Sequence, residues 1–528
     1  MRLPFIIALL SPLATAQEIK LLASDGAQND QFGYSVSLSG NTAIVGAFGD
    51  DDNGLWSGSA YLFDITTGAE LAKLLPSDGA IDDQFGGAVA ISGDTAIVGA
   101  PRDGDNGFYS GSAYLFDATT GAQIAKLLSS DGASDDYFGS AVAISGNTAI
   151  VGAINDDDNG SDSGSAYLFN ATTGAQILKL LPSDGAASDS FGGSIAISGN
   201  TAIIGASWDN DNGTNSGSAY LFDLTTGAEI GKLLPSDGAS DDYFGRSVAI
   251  SGNTAIVGAV GDDDMGSFCG SAYLFDVSTG AEIAKLLPSN GAASDYFGSS
   301  VAISGDTAIV GAWGDDDHGQ TSGSAYVFDA NTGAELAKIF SSDCDDYDYF
   351  GYSIALEGTK GLVGAWGDTI GEWGDGSNGI VTGSAYLIEL CVGHVANYCV
   401  ASSNSVSATG AQISLDGTTS IGSNSMALRA DSLPPNQFGV FFCGALKQDP
   451  PAPFGNGYRC VGTSGLARLN PPVSTGSGSA QRALDMTASP LNNIQAGDTH
   501  HFQLWYRDPA AGGANYNLTD ALEITFCP

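Results

Sequence analysis

Short apolar runs return in a fixed order between residues 32 and 390, and Gly, Asn, Asp, Thr or Ser bounds each run. In residues 138–190 the runs read AVAIS, TAIVGA, SAYLF and AQILKLL. Short runs rich in β-branched and aromatic residues, bounded by turn formers, predict β-strands. The dipeptide Phe-Gly opens a unit at residues 32, 85, 138, 191, 244, 297 and 350, a period of 53 residues. Such a strict period predicts one supersecondary unit copied seven times.

The joints between the predicted strands have two lengths. SGNT and NATTG are short and carry glycine where a tight hairpin turn needs a positive φ. The joints after the second and fourth strands are longer and rich in aspartate. Alternate joints of an antiparallel meander lie at the same end of the sheet. We therefore predict both acidic joints on one face and both tight turns on the other.

The two ends of the repeat region are offset by one strand. The segment EIKLLASDG at residues 18–26 matches the fourth-strand segment AEIAKLLPSDG of later units, whereas the seventh unit stops after its third strand at Leu390. We predict that the N-terminal segment supplies the missing strand and closes a ring of 28 strands. The predicted fold class is all-β, a seven-bladed β-propeller of four-stranded blades closed by the N-terminal strand, followed by a small β-sandwich-like domain.

Two further segments flank the propeller of residues 17–390. Residues 1–16 combine Arg2, a short apolar run and an Ala-x-Ala ending, which predicts an export signal cleaved near Gln17 and a secreted, cell-surface or periplasmic location. In residues 391–528 the period ends and prolines cluster. Five cysteines there predict a disulfide-bearing β-sandwich-like domain, with the pairing open and at least one cysteine free or paired elsewhere. These are Cys391, Cys399, Cys443, Cys460 and Cys527.

The charge of the chain limits its partners. A formal net charge of −43 repels nucleic acid and anionic lipid surfaces. The expected companions are cations, basic proteins or neutral polymers such as glycans. No stretch after the signal approaches the length of apolar sequence that spans a membrane. We expect a monomer without a membrane span.

Several of these residues resemble a known family. Phe-Gly at the start of each unit, VGA at 45–47, VGAP at 98–101 and GSAYLF in the third strand are similar to FG-GAP repeats. Such repeats build the seven-bladed propeller of integrin α-subunits and occur in many exported bacterial proteins. The resemblance covers about residues 18–390 and implies the propeller fold. Integrin-like repeats often carry a calcium loop where this chain has the short turn at 39–42, so that family site carries over to no residue here.

The acidic motif D-x-D-x-G follows the second strand in six units. Its aspartates are candidate calcium ligands, although calcium prefers about six to eight oxygens. Further ligands would come from the other long joint, for example Asp82 and Asp83, Asp135 and Asp136, or Asp241 and Asp242. The alternative is that the aspartates form Asx turns and stay hydrated. The candidate metal ligands are Asp50, Asp52, Asp103, Asp105, Asp156, Asp158, Asp209, Asp211, Asp262, Asp264, Asp315 and Asp317.

A lysine recurs in the fourth strand of every unit. We interpret it as structural, either facing solvent or pairing with a carboxylate. The lysines are Lys20, Lys73, Lys126, Lys179, Lys232, Lys285 and Lys338.

The sequence does not favour an enzyme. The chain has four histidines and no GxSxG, HExxH or P-loop motif, and its units repeat each other closely. The long joint of the seventh unit is longer and adds Glu372 and Trp373, which are candidates for partner binding. The alternative for this joint is a terminal repeat that has drifted.

We therefore expect an exported, non-enzymatic binding or adhesion protein that uses its acidic face to bind a protein or glycan. Calcium is the candidate cofactor, and no other cofactor is expected. One alternative is a polysaccharide-active hydrolase or lyase. The other is a structural surface or matrix protein without a specific ligand.

Overall fold

A computed structural model describes most of the chain. The described residues are 18–370, 380–390, 395–397, 406–407, 411–416, 427–454, 457–461, 466–475, 478–486, 489–491, 494, 499–511 and 516–525. The chain divides into one compact unit that ends at Glu389 and a second that begins at Leu390.

The first unit contains seven four-stranded antiparallel sheets, the blades. In each blade the first strand pairs with the second, the second with the third and the third with the fourth. The first strands are Ser35–Ser39, Ala88–Ser92, Phe138–Ser145, Phe191–Ser198, Phe244–Ser251, Ser300–Ser304 and Ser353–Glu357. The second strands are Thr42–Ala47, Thr95–Ala100, Thr148–Ala153, Thr201–Ala206, Thr254–Ala259, Thr307–Ala312 and Lys360–Ala365. The third strands are Ser59–Asp64, Ser112–Asp117, Ser165–Asn170, Ser218–Asp223, Ser271–Asp276, Ser324–Asp329 and Ser384–Glu389. The fourth strands are Ala69–Leu74, Gln123–Leu127, Gln176–Leu180, Ala228–Leu233, Ala281–Leu286, Glu335–Ile339 and, in the seventh blade, Glu18–Leu21.

The N-terminal strand closes the ring as predicted. Glu18–Leu21 pairs antiparallel with Ser384–Glu389, with Ile19 opposite Leu387 and Lys20 opposite Tyr386. Two short strands, Thr369–Ile370 and Ile380–Val381, form an extra hairpin in the long joint of the seventh blade. The predicted fold class and the predicted offset of one strand are both confirmed.

The first strand of each blade is the innermost one. Each first strand packs against the first strands of the two neighbouring blades, and the last of them packs against the first of the ring. The acidic joints leave each blade on one face. Each first strand starts at this face, and each second strand finishes there. Side chains at these two places therefore surround the axis on the acidic face.

The Phe-Gly dipeptide joins neighbouring blades. Phe85 is fully buried, and its ring centre lies 5.6 Å from that of Tyr114 and 5.8 Å from that of Phe116. Its backbone also forms a bridge with Gly58, just before the third strand of the preceding blade. Gly86 has a φ of +90°, and a Cβ there would lie 2.2 Å from a backbone oxygen. The glycine of the dipeptide is therefore required by both backbone conformation and space.

The second unit is a two-sheet β-sandwich with a small hairpin. The larger sheet has the strand order Val395–Asn397, Leu522–Thr525, Thr499–Arg507, Phe438–Gly444 and Ala467–Ser474, with Tyr516–Leu518 beside Thr499–Arg507. The smaller sheet contains Gln412–Asp416, Ala427–Asp431 and Ala480–Ala483, and the hairpin contains Lys447–Phe454 and Gly457–Val461. A 3-10 turn covers Pro509–Ala511. Buried side chains of both sheets form one hydrophobic core, as the predicted sandwich requires.

Two of the tail cysteines are described. Cys443 is a buried free thiol, whereas Cys460 is disulfide-bonded. Cys391, Cys399 and Cys527 lie outside the described residues, so the disulfide framework of this domain stays a prediction. Within the described ranges, no helix has the length and apolarity that crossing a membrane requires.

Candidate functional site

Each blade places a tyrosine and a lysine side by side on its two outer strands. In the third blade Tyr167 on the third strand is paired with Lys179 on the fourth. The Lys179 Nζ atom lies 4.9 Å from the centre of the Tyr167 ring. Paired residues of an antiparallel ladder extend from the same side of the sheet. The ladder register alone therefore brings a phenol and an ammonium group together.

Three carboxylates surround this ammonium group. Lys179 Nζ lies 2.9 Å from Asp131, 2.9 Å from Asp156 and 2.6 Å from Asp158. The Tyr167 hydroxyl lies 2.9 Å from the first of these carboxylates and 2.6 Å from the second. Asp131 follows the fourth strand of the second blade, whereas the other two aspartates belong to the third blade. The network therefore connects two neighbouring blades.

The central carboxylate of the network is buried. Asp156 is 4% exposed and also accepts a hydrogen bond from Ser165 Oγ. Burial by itself raises the pKa of Asp156, but the hydrogen bonds from Tyr167 and Lys179 outweigh it and the pKa is lowered. Burial lowers the pKa of Lys179, but its hydrogen bonds to the aspartates raise this pKa to about 12. Both groups are therefore charged at neutral pH.

A lysine–aspartate network occurs in every blade, with three aspartates in the first five blades and two in the sixth and seventh, which confirms that the repeated lysines are structural and pair with carboxylates. The lysine–aspartate groups are Lys20 with Asp343 and Asp368; Lys73 with Asp25, Asp50 and Asp52; Lys126 with Asp78, Asp103 and Asp105; Lys179 with Asp131, Asp156 and Asp158; Lys232 with Asp184, Asp209 and Asp211; Lys285 with Asp237, Asp262 and Asp264; and Lys338 with Asp315 and Asp317.

The two candidate aspartates of each acidic motif therefore contact the same lysine. The motif also forms the Asx turn considered from the sequence, since Asp158 N donates to Asp156 Oδ1 at 3.1 Å. A metal ion at these carboxylates would have to displace the ammonium group, so the site does not fit a metal while Lys179 is in place. In the described part of the chain, no group of three or more His, Cys, Asp or Glu residues is arranged to hold a metal. Calcium binding by the candidate aspartates stays a prediction that requires the lysine to move.

The aspartate that the preceding blade contributes to six of the networks was missed from the sequence; in the sixth blade Asn290 takes its place and accepts a hydrogen bond from Tyr326. The second long joint does contribute a carboxylate, but it comes from Ser-Asp-Gly, as at Asp131, rather than from the suggested Asp135 and Asp136. Ser-Asp-Gly recurs with two residues between it and the end of the fourth strand, as at residues 130–132, and this repetition was the available signal. Local pattern could not show that this segment crosses to the next blade.

Asp136 has a different, local role. Its side chain is 6% exposed and accepts a hydrogen bond of 2.6 Å from the backbone N–H of Ala133. Burial raises the pKa of Asp136 to about 6. The equivalent residues in other blades have pKa values raised in the same way, to about 6 for Asp30, Asp83, Asp189, Asp242 and Asp295 and to about 7 for Asp348.

We expect the protein to be more stable at pH 5 than at pH 7. The pKa of Asp136 is higher in the folded chain than the value of about 3.9 in an unfolded chain. The folded state therefore binds the proton more tightly, and the free energy of unfolding falls as pH rises from about 4 to about 6. Asp136→Asn keeps an acceptor for Ala133 and removes the buried charge. It should raise stability at pH 7 by about 1 kcal/mol and flatten the pH dependence.

Urea denaturation at pH 5 and pH 7 measures this effect. The control is Asp135→Asn, which removes a charge from an exposed neighbour in the same loop. Equal changes in stability for the two variants would contradict the assignment of the pH dependence to the buried carboxyl group.

A second feature of the acidic face is a group of packed aromatic side chains near the axis, which we call the aromatic belt. Trp313 and Trp366 directly follow the second strands of the sixth and seventh blades. The first stacks on Tyr296 with ring centres 4.4 Å apart, and the second stacks on Tyr349 at 4.6 Å. Tyr352 contacts both tryptophans. These half-buried rings form a continuous surface across two blades.

The aromatic belt continues into the first blade because the ring is closed. Tyr34 lies 5.0 Å from Tyr352 and 4.4 Å from Phe48, measured between ring centres. The belt therefore consists of Tyr34, Phe48, Tyr296, Trp313, Tyr349, Tyr352 and Trp366. Within the described residues, the Trp366 Nε1–H is buried without a hydrogen-bond partner. Buried indole N–H groups usually find a partner.

The belt is confined to one side of the ring. At the position of Phe48 the second to fifth units have Pro101, Ile154, Ser207 and Val260. Sequence reasoning missed the belt, although aromatic residues at these repeat positions were visible in the first, sixth and seventh units. The belt breaks the sevenfold repetition of the blades. Specific recognition is expected at such an irregular surface on a repeated scaffold.

The remaining candidates, Glu372 and Trp373, lie outside the described residues. Their assignment to partner binding stays a prediction.

Comparison with known protein families identifies the repeats. The family model described as FG-GAP repeat matches residues 15–63, 69–116, 122–169, 175–222, 228–275, 281–328 and 334–388. The seven matches together cover more than half of the chain. A search of curated proteins found no match to this chain.

Proposed function

Because the chain belongs to the FG-GAP repeat family, we propose that it is an exported, non-enzymatic binding or adhesion protein. Its partner is a protein or a glycan that contacts the acidic face of the propeller. The export signal expected in residues 1–16 supports a role outside the cell, and the propeller fold is consistent with binding.

The observation that carries this proposal is the aromatic belt. Half-buried rings such as Trp313 and Tyr352 offer a large, rigid apolar contact area at low entropic cost. The propeller, residues 17–390, carries 52 acidic and ten basic side chains. The apolar surface of the belt therefore lies in a strongly negative potential. This combination suits a partner that brings cationic side chains to aromatic faces. A basic segment of a protein is therefore favoured over a neutral glycan.

Binding is favoured over catalysis for a physical reason. The buried carboxylates that could act as acids or bases, such as Asp156, are tied to a lysine and a tyrosine in the same way in successive blades. Asp136, whose pKa is raised, does contrast with Asp156, whose pKa is lowered, but the same contrast recurs in the fourth and fifth blades, so it does not mark one blade as a catalytic site. Divalent cations enter the proposal only as loosely held counter-ions of the acidic face.

We expect the double variant Trp313→Ala, Tyr352→Ala to lose binding at least about tenfold, because two adjacent aromatic contacts are removed. The measurement is binding of the full chain to arrays of extracellular proteins and glycans, followed by titration of each hit with both chains. Binding to a basic partner should weaken as salt rises, whereas binding to a neutral glycan should not.

The matched control is Trp56→Ala, which removes an exposed tryptophan from a long joint of the first blade. Each titration is repeated with calcium and with a chelator, and equal affinities would remove cations from the proposal. Loss of binding in the control equal to that in the double variant would argue against the belt. Turnover of a glycan hit into shorter products would replace binding with the enzymatic alternative.

A further inference from the structure

The larger sheet of the C-terminal unit is apolar on both sides. In the strand Phe438–Gly444, Phe441 faces the core between the two sheets. Val440 and Phe442 alternate with it and therefore extend from the opposite side. Val440 is paired with Trp505 of the neighbouring strand. A side that faced only water would be expected to carry polar residues here.

The hairpin strand Gly457–Val461 partly covers this outer side. The backbone N–H of Cys460 donates to Gln503 Oε1 at 3.1 Å, and Val461 packs with Phe442. A cavity of about 420 Å³ remains beside the hairpin. Its described lining residues are Val440, Phe442, Arg459, Leu466, Arg468 and Trp505. This volume lies in the range of small-molecule sites.

The cavity combines aromatic walls with two positive charges. Arg459 is half-buried, and its Nε atom has no hydrogen-bond partner among the described residues. Arg468 is exposed and is paired in the ladder with Phe442. No carboxylate occurs among the described lining residues. A buried guanidinium nitrogen without a partner is costly, and an anionic ligand would satisfy it.

The charge of this unit also permits an anion to bind. Residues 391–528 carry eight acidic and six basic side chains, against 52 and ten in residues 17–390. The large negative charge of the protein therefore belongs to the propeller, and the C-terminal unit is nearly neutral. A polyanion would still be repelled by the whole chain, so a small ligand with a single charge is favoured.

We propose that this cavity binds a small ligand in which a carboxylate is attached to a six-membered ring. The ring packs against Trp505 and Phe442, and the carboxylate accepts hydrogen bonds from Arg459 and Arg468. Two sources share this chemistry, a sugar acid and an aromatic acid. Both present a flat or nearly flat apolar face to an indole and a carboxylate to a guanidinium group.

The test uses the full chain and ligand-observed saturation-transfer NMR titrations. The probes are glucuronate and benzoate, each compared with its neutral amide. We expect at least one acid to bind and its amide to bind on the order of tenfold more weakly. Which acid binds identifies the source. Arg468→Gln should weaken binding of that acid on the order of tenfold, and Trp505→Ala should reduce saturation of the ring protons.

The matched control is Arg429→Gln. Arg429 belongs to the same unit, is exposed and pairs with Asp431 outside the cavity. Arg468 is exposed, so its substitution tests the proposal even if Arg459→Gln fails to fold. The proposal is overturned if neither acid binds, if acid and amide bind equally, or if Arg468→Gln and Arg429→Gln bind alike. Because these residues lie in the C-terminal unit, the test is independent of the proposed function of the propeller.

Discussion

A chain that begins at Ala23 instead of Gln17 is expected to lose about 5 kcal/mol or more of its free energy of unfolding. The truncation removes the strand Glu18–Leu21 from the seventh blade. Buried Leu21 no longer fills the core between the seventh and first blades, and the strand Ser384–Glu389 becomes an unpaired edge. Buried Asp368 also loses the ammonium group of Lys20, which lies 2.6 Å away.

Thermal and urea denaturation followed by circular dichroism measure this loss. The reference is the chain that begins at Gln17. Leu22→Ser in that chain is the control, because it alters a more exposed residue next to the strand and keeps the ladder intact. A synthetic peptide of residues 17–26 added to the truncated chain should restore part of the stability. Identical denaturation midpoints for the truncated and reference chains would refute closure of the ring by this strand.

Lys179→Met is expected to cost about 3 to 5 kcal/mol of stability at pH 7. The change leaves three aspartates without their cation, and Asp156 among them is almost fully buried. Adding Asp156→Asn to the same chain removes the buried charge and should recover most of the loss. The double-mutant cycle therefore separates the cost of an unpaired charge from the net contribution of the network.

The loss should depend on pH. With Lys179 present, the pKa of Asp156 is lowered, so its interaction stabilises the fold above the unfolded pKa and is lost as pH falls. Without the lysine, burial raises this pKa, so the folded state gains stability when the carboxyl group is protonated. The cost of Lys179→Met should thus be smaller at pH 5 than at pH 7. Urea denaturation at both pH values measures it.

Lys360→Met is the matched control, since this lysine lies at the start of a second strand and belongs to none of the seven networks. A cost for Lys179→Met no larger than that of the control would show that the ammonium group does not compensate the buried carboxylate. Failure of Asp156→Asn to recover stability would assign the loss to packing of the lysine stem instead.

Much of the fold could be predicted because its information is local and repeated. Four apolar runs and two kinds of joint recur every 53 residues, so each blade repeats the evidence for the others. The offset between residues 18–21 and the end of the seventh unit was sufficient to predict closure. The N-terminal strand has no blade of its own, and the seventh unit lacks a fourth strand, so the one can pair with the other.

The partners of the charged side chains could not be predicted in the same way. The sequence showed both the aspartates of the acidic motif and the repeated lysines, but spacing along the chain does not reveal distance across a blade boundary. Asp131 and Lys179 are 48 residues apart and belong to different blades. Only the assembled ring shows that the lysine occupies the place considered for calcium.

The sequence by itself determined the number of blades, the strand order and the closure of the ring, because hydrophobic period and turn chemistry act over a few residues. The tertiary structure alone decided what the loops and surfaces contain. Closure brings Tyr34 to Tyr352, although they lie more than 300 residues apart in the chain. In the C-terminal unit, strand pairing brings Trp505 beside Val440. Such contacts depend on how whole sheets pack, and no local pattern encodes them.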